Sequence, residues 1–389
     1  RGLGDVYKRQ IINIMKKLIV LFSAVAALAA CSKNEVVPAV SGENVEISYK
    51  VAPRTKADPQ AFDTKNVFAS WAYYLPSGKN WSDNWEDAKI FLGKEEQEGV
   101  TISYGNNVWK DQTTSHYWPK EGNLTFFAYS LNRNNFDLKY DSGHTYPIVC
   151  HKSQNAYGIN ATIDLKDNKN LDLLVAEIAK DKTQNENIYS LNGVPTLFKH
   201  KFSRIQFAVK KKEEYTGTTI TLNSITFNNV AHTGHYSQFN KEDGDVEFTQ
   251  DYCKAGDIRT SLVYTTTDFK VTSATKYVPV TETDETYYIY MPQDFKNVTE
   301  AKNIATIEVK YTVTFKNGTS ETYSKTLNVK DIFNSWEMGK RYTFNLIFSL
   351  DEIKWAPAVG DWENEIKNID IETGNSIPVE GNTTTGKQN

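Results

Sequence analysis

Val45-Glu46-Ile47-Ser48-Tyr49-Lys50-Val51 alternates apolar with polar residues, so Val45, Ile47, Tyr49 and Val51 fall on one face of an extended chain. This predicts a strand with one buried face. Pro53 ends the run, and the stretch from Ala52 to Gln60 carries two prolines with Arg54, Lys56 and Asp58. It reads as an exposed loop open to proteases, and Arg54-Thr55-Lys56 marks where one would cut.

The same two-residue period recurs downstream. Val67 to Tyr74 is an aromatic-rich strand closed by Pro76-Ser77-Gly78, whereas the stretch from Trp81 to Phe91 carries no clear pattern. Val100 to Tyr104 runs into a turn at Gly105-Asn106-Asn107, and Leu124 to Tyr129 follows a turn at Glu121-Gly122-Asn123. Leu171 to Ala176 is a short apolar strand, and Thr196 to Val209 reads as one continuous strand opening a second half. The polar stretch from Tyr236 to Lys276 reads as loop. Ala305 to Phe315 and Thr322 to Leu327 form a hairpin whose Asn317-Gly318 fits a type I′ turn. Strands joined by such turns, without helical periodicity between them, predict an all-β fold, an antiparallel sandwich or barrel, in two domains. Their expected bounds are 45–195 and 196–371, with a flexible tail over 372–389.

Composition agrees: 13% of the 389 residues are aromatic, 22 of them Tyr. The net charge of −4, with signs interspersed, lacks the basic stripe that nucleic-acid binding needs. At the front, Met15 is followed by Lys16, Lys17 and an apolar run to Ala29, the pattern of an export signal over 15–30. Residues 1–14 read as upstream read-through. Leu28-Ala29-Ala30-Cys31 resembles a bacterial lipobox, which makes Cys31 the acylated residue and residues 31–44 a flexible tether from a membrane lipid. Two further cysteines, Cys150 and Cys253, could pair in an oxidising periplasm.

Catalytic motifs are sparse. No Gly-x-Ser-x-Gly occurs, and His232 with His235 reads as two histidines flanking a turn rather than a metal site. His200 alternates with Lys199 and Lys201 along a strand. No catalytic role, metal or cofactor is expected. Trp71, Trp81, Trp85 and Trp109 could stack on sugar rings if exposed, whereas Trp118, Trp336, Trp355 and Trp362 read as structural.

Four motifs in order carry a family resemblance. They are the lipobox, Tyr117-Trp118-Pro119 with Leu124 to Tyr129, Phe198-Lys199-His200-Lys201-Phe202-Ser203-Arg204, and Trp336 to Tyr342 ahead of Trp355 to Trp362. Together they resemble the fimbrillin-like (Mfa-like) lipoprotein family, the subunits of type V pili. The resemblance implies an all-β fold of two tandem antiparallel β-sandwich domains of transthyretin-like type, lipid anchoring at the outer membrane, a pilus at the cell surface and a role in cell adhesion. It also implies a cut after Arg54 or Lys56 by a trypsin-like maturation protease, release of the Val45 to Val51 strand, and its replacement by a strand from another pilin subunit. Ile366, Ile369 and Ile371 are then the candidate donor residues. The alternative is a non-polymerising surface lipoprotein that binds a glycan or host ligand.

Overall fold

The computed structural model describes residues 44–52, 62–95, 97–131, 148–152, 157–165, 171–188, 193–238, 259–280, 288–299, 303–350, 353–361, 368–369 and 376–377. The described residues are almost entirely strand, in keeping with the all-β expectation. Two strands form the spine of the first half: β2 (Phe68–Leu75) and β6 (Asn123–Ser130) pair antiparallel from Ala69↔Tyr129 to Leu75↔Asn123. Both are buried on both faces, so each reads as a continuous apolar run rather than an alternation. On β2, Ala69, Trp71, Tyr73 and Leu75 enter one core, while Phe68 and Ala72 enter another.

The strands around this spine are β1 (Tyr49–Ala52), β3 (Lys89–Leu92), β4 (Val100–Gly105), β5 (Val108–Lys110), β7 (Val149–Lys152), β8 (Tyr157–Asp164), β9 (Leu174–Ala176), β10 (Ala179–Lys182) and β11 (Val194–His200). Following the pairings β2-β6-β9-β11-β1-β5-β4 returns to β2, so seven strands close into a ring. The first half therefore contains a barrel-like closed sheet, one of the two forms that the strand pattern allows. Its interior is filled by Ile47, Tyr49, Phe68, Ile102, Leu124, Phe126, Val194 and their neighbours. β3 and β10 flank the spine outside the ring, beside β2 and β6 respectively. A one-turn helix, α1 (Trp81–Asn84), occupies the stretch that has no clear sequence pattern, and the Asn80 side chain caps it by accepting from the Asp83 N–H.

The second half comprises β12 (Ser203–Lys211), β13 (Thr219–Ala231), β14 (Thr233–Ser237), β15 (Arg259–Lys270), β16 (Val278–Pro279), β17 (Tyr288–Tyr290), β18 (Gln293–Asp294), β19 (Thr306–Thr314), β20 (Ser320–Asn328), β21 (Ser335–Trp336), β22 (Lys340–Phe348), β23 (Ile353–Asp361), β24 (Asn368–Ile369) and β25 (Ser376–Ile377). One sheet runs β16-β12-β22-β23, with β17 also on β12, and the other runs β15-β13-β19-β20. Ile205, Phe207, Phe227, Ile307, Val309, Trp336 and Phe344 lie in the core that both sheets supply. Along β19 the buried Ile307, Val309, Tyr311 and Val313 alternate with more exposed residues, as the period predicts.

Several sequence expectations are corrected. Thr196 to Val209 is not one strand: β11 joins the first ring and β12 the second sandwich, parted at Lys201-Phe202. The expected boundary at 195/196 thus falls inside β11. The chain also crosses back, because β14 pairs with β8 from Thr233↔Asp164 to Ser237↔Asn160 and buries Tyr236 in a first-half core. The region expected to be loop contains the 12-residue β15, whose Leu262 and Tyr264 face the core on either side of the exposed Val263. At the β19–β20 hairpin, Gly318 alone takes positive φ (+85°), and the Asn317 side chain instead accepts from the Thr319 N–H. The turn is therefore not type I′. That geometry occurs at Asn106-Asn107, where φ is 52° and 64°. Cys150 is a free thiol, fully buried in apolar surroundings that push its pKa up, and Cys253 lies outside the described residues.

Candidate functional site

The segment from Val45 to Ala52 sits between two neighbours. On one side β1 runs parallel to β11, pairing Tyr49↔Val194, Lys50↔Pro195, Val51↔Thr196 and Ala52↔Leu197, and the Val194 N–H donates to the Ser48 carbonyl at 2.8 Å. On the other side the pairing is antiparallel. The Ile47 N–H donates to His116 O at 2.7 Å, the Trp118 N–H donates to Val45 O at 2.9 Å, and Tyr49 lies opposite Trp109. In a parallel ladder a residue's N–H and C=O face the same neighbour. Val194 and Thr196 therefore face β1, and the N–H that Pro195 lacks falls on the opposite side, where β9 pairs only from Phe198 onward.

The predicted inward set packs as its period requires. Ile47 and Tyr49 are each 3% exposed, and Val45 and Val51 are half-buried against the same core. Burial contributes about 1.5–3 kcal/mol for each side chain of this size. The Tyr49 ring stands edge-on to Phe68 (5.3 Å) and Phe126 (5.8 Å). Its hydroxyl donates to Ser70 Oγ at 3.0 Å, and Ser70 donates in turn to the Phe127 carbonyl at 3.2 Å. Burial raises the Tyr49 pKa, so the phenol stays protonated and remains a donor.

Outside the ring, Lys110 Nζ meets Glu46 Oε2 at 2.8 Å. The bond from Lys110 holds the Glu46 carboxyl below its ordinary value, against the opposing effect of its own burial. A lowered carboxylate pKa stabilises the fold above the unfolded value and loses that contribution as pH falls through the folded one. The pair is partly exposed and contributes at most about 1 kcal/mol. Protection of the Ile47 amide, taken relative to the intrinsic exchange rate at each pH, should therefore hold from neutral pH down to the ordinary glutamate pKa and fall below it. A Glu46→Gln variant should lack that acid step.

Two residues outside the strand fix its seat. Gly193 has φ +108°, and a Cβ there would come within 2.5 Å of the Ser48 carbonyl oxygen and 2.8 Å of Tyr49 N. Gly193→Ala should thus loosen β1 by about 2 kcal/mol or more, from left-handed strain plus backbone overlap. Limited proteolysis within 44–52 at a temperature where the second sandwich stays folded would read this. Phe62, where the described chain resumes, stacks on Phe198 (4.7 Å) and packs against Trp109 and Phe68. The chain is therefore held on both sides of the basic loop.

The loop itself, with Arg54 and Lys56, lies outside the described residues, as do Cys31, Ile366 and Ile371. Ile369 lies in β24, which pairs with β25 as Asn368↔Ile377 and Ile369↔Ser376. The sugar-stacking set is corrected: Trp71 and Trp81 are fully buried, Trp109 is 7% exposed and Trp85 packs against a core. The sequence hides this because Trp71 faces out of the ring yet is covered by the β7–β8–β14 sheet. His232 and His235 engage different partners, Asp164 at 2.7 Å and Thr162 at 2.9 Å. Among the described residues no helix is long and apolar enough to cross a membrane. Ser70 and Gly193 escaped the sequence reading. A serine amid the apolar Phe68 to Leu75 run is the one local signal of the first, and Gly193-Val194-Pro195 of the second.

Comparison with solved structures gives a fimbrial protein from Bacteroides vulgatus, 17% identical over 82% of this chain and 99% of that one, with a TM-score of 0.60. A candidate cell adhesion protein from Bacteroides uniformis, 14% identical, covers 83% of this chain and 99% of its own with a TM-score of 0.45. At this identity the Bacteroides vulgatus likeness shows a shared fold. No curated protein sequence matches the chain significantly. A model of the fimbrillin-like family matches residues 55–362, and the chain belongs to that family.

Proposed function

We propose that the protein is a fimbrial subunit serving cell adhesion, held to the outer membrane through acylated Cys31 and activated by removal of its first strand. In this reading a trypsin-like protease cuts after Arg54 or Lys56, the Val45 to Val51 strand leaves, and a strand from a neighbouring subunit takes its place. The segment bearing Ile366, Ile369 and Ile371 is this chain's own candidate donor. The carrying observation is that β1 is one stave of a closed ring. Taking it out leaves the edges of β11 and of residues 116–118 unpaired around an apolar groove.

Each buried backbone group left without a partner costs roughly 1–3 kcal/mol. An empty groove is therefore unstable, and a strand that fills it by β-augmentation is released slowly. The test is the N-terminal residue and intact mass of the protein recovered from outer membranes and from shed filaments. A start at Thr55 or Ala57 is expected; a start at acylated Cys31, with no filaments, would sink the reading.

A further inference from the structure

We infer that the Tyr49 pocket reads one side chain of the replacing strand, selecting tyrosine over the isoleucines of this chain's own candidate donor segment. The inference rests on the reading that β1 is replaceable. Its evidence is the direction of one buried hydrogen-bond chain. Ser70 is fully buried on β2, and its proton is committed to the Phe127 carbonyl at 3.2 Å. What its oxygen presents to the ring interior is therefore a lone pair. The fitting occupant is a side chain that brings a donor at the end of a flat ring, since Phe68 and Phe126 define a slot that the Tyr49 ring fills edge-on at 5.3 and 5.8 Å. Tyrosine meets both requirements. Phenylalanine meets only the second, and isoleucine meets neither.

The chain's own candidate donor segment does not supply that residue. Ile369 and Ile371 keep the two-residue period, but no Tyr, Phe or Trp occurs anywhere from Glu363 to Asn389. Seated in this groove, that segment would leave the slot between Phe68 and Phe126 under-filled and the Ser70 oxygen without its donor. A strand of different sequence, carrying tyrosine in the register that Tyr49 holds against Val194 and Trp109, fills both.

Limited trypsin digestion of the unprocessed chain, cutting within 53–61, then removal of the freed strand in denaturant and refolding with added labelled peptides, read by native mass spectrometry, tests this. The peptides are the Asn44–Ala52 sequence, its Tyr49→Phe and Tyr49→Ile variants, and the Glu363–Thr373 sequence. The Tyr49→Phe peptide should bind about three- to tenfold more weakly than the parent. The Tyr49→Ile and Glu363–Thr373 peptides should each bind about a hundredfold more weakly or worse. In a Ser70→Ala chain the preference for tyrosine over phenylalanine should shrink to within about twofold, while that over isoleucine stays; if that variant fails to fold, the peptide series on the unaltered chain decides alone. Entry of all four peptides with similar affinity would overturn the pocket's selectivity and leave strand replacement standing. Failure of every peptide, the parent included, would overturn strand replacement and the selectivity with it.

Discussion

Tyr49→Ala is expected to destabilise the first ring by about 3–5 kcal/mol, the range for truncating a fully buried aromatic side chain. The ring it removes contacts Phe68 and Phe126, and its hydroxyl is the donor to Ser70, so the variant loses packing and a buried hydrogen bond together. Tyr49→Phe keeps the packing and should cost only about 0.5–1.5 kcal/mol. The loss should be local. β1 enters the ring from the N-terminal side and shares its core with no residue of the second sandwich, whose Phe207, Phe227 and Trp336 form a separate cluster. Hydrogen exchange should therefore rise first at Ile47, Trp118 and Val194, the amides that tie the segment to both neighbours. The melting of the second sandwich should hold. Equal loss of protection in both halves, with β1 still protease-resistant, would show that Tyr49 is ordinary core and that β1 is not a separable stave.

This local character also marks how far the sequence could be read. Alternation told which residues of Val45 to Val51 and of Thr306 to Thr314 face inward, because a period of two is a property of the strand alone. It did not tell which strand lies alongside. The parallel pairs β1–β11 and β12–β22 bring together residues more than a hundred positions apart, and nothing in either sequence selects parallel over antiparallel. The split between β11 and β12 was hidden for the same reason: both flanks of Lys201-Phe202 are strand-like, and only their neighbours differ. β15 was missed because its threonines and charged residues mask the buried Leu262 and Tyr264. At the site, the strand was legible and its lock was not. Ser70 matters through a residue 21 positions away, and Gly193 through the Ser48 carbonyl its missing Cβ leaves room for.

Gly158→Ala should have the larger effect on the whole molecule, above about 3 kcal/mol, because the neighbour it meets is backbone and cannot swing aside. A Cβ on Gly158 would fall 1.3 Å from the carbonyl oxygen of Gln238, at the end of the excursion that carries β14 into the first half. That end is tightly held. The Gln238 N–H donates to Ile159 O at 2.8 Å, and its side-chain amide donates to Ala176 O at 2.9 Å. Relief of the overlap requires β14 to lift off β8, which would take the fully buried Tyr236 out of its core and break the ladder from Thr233 to Ser237. Gly78→Ala is the contrasting control, since Gly78 has the positive φ (+84°) that Gly158 lacks but open space around its Cβ, and it should cost only about 1–2 kcal/mol. Rapid exchange at 233–238, with protection of the β12–β22 ladder retained, would identify β14 as the tie between the halves. Loss of both at once would instead make the halves a single cooperative unit. Either way, the 13-residue β13 runs through His232 directly into β14, so one stretch of backbone belongs to both cores. A pull applied between the Val45 groove and the C-terminal strands passes along that stretch.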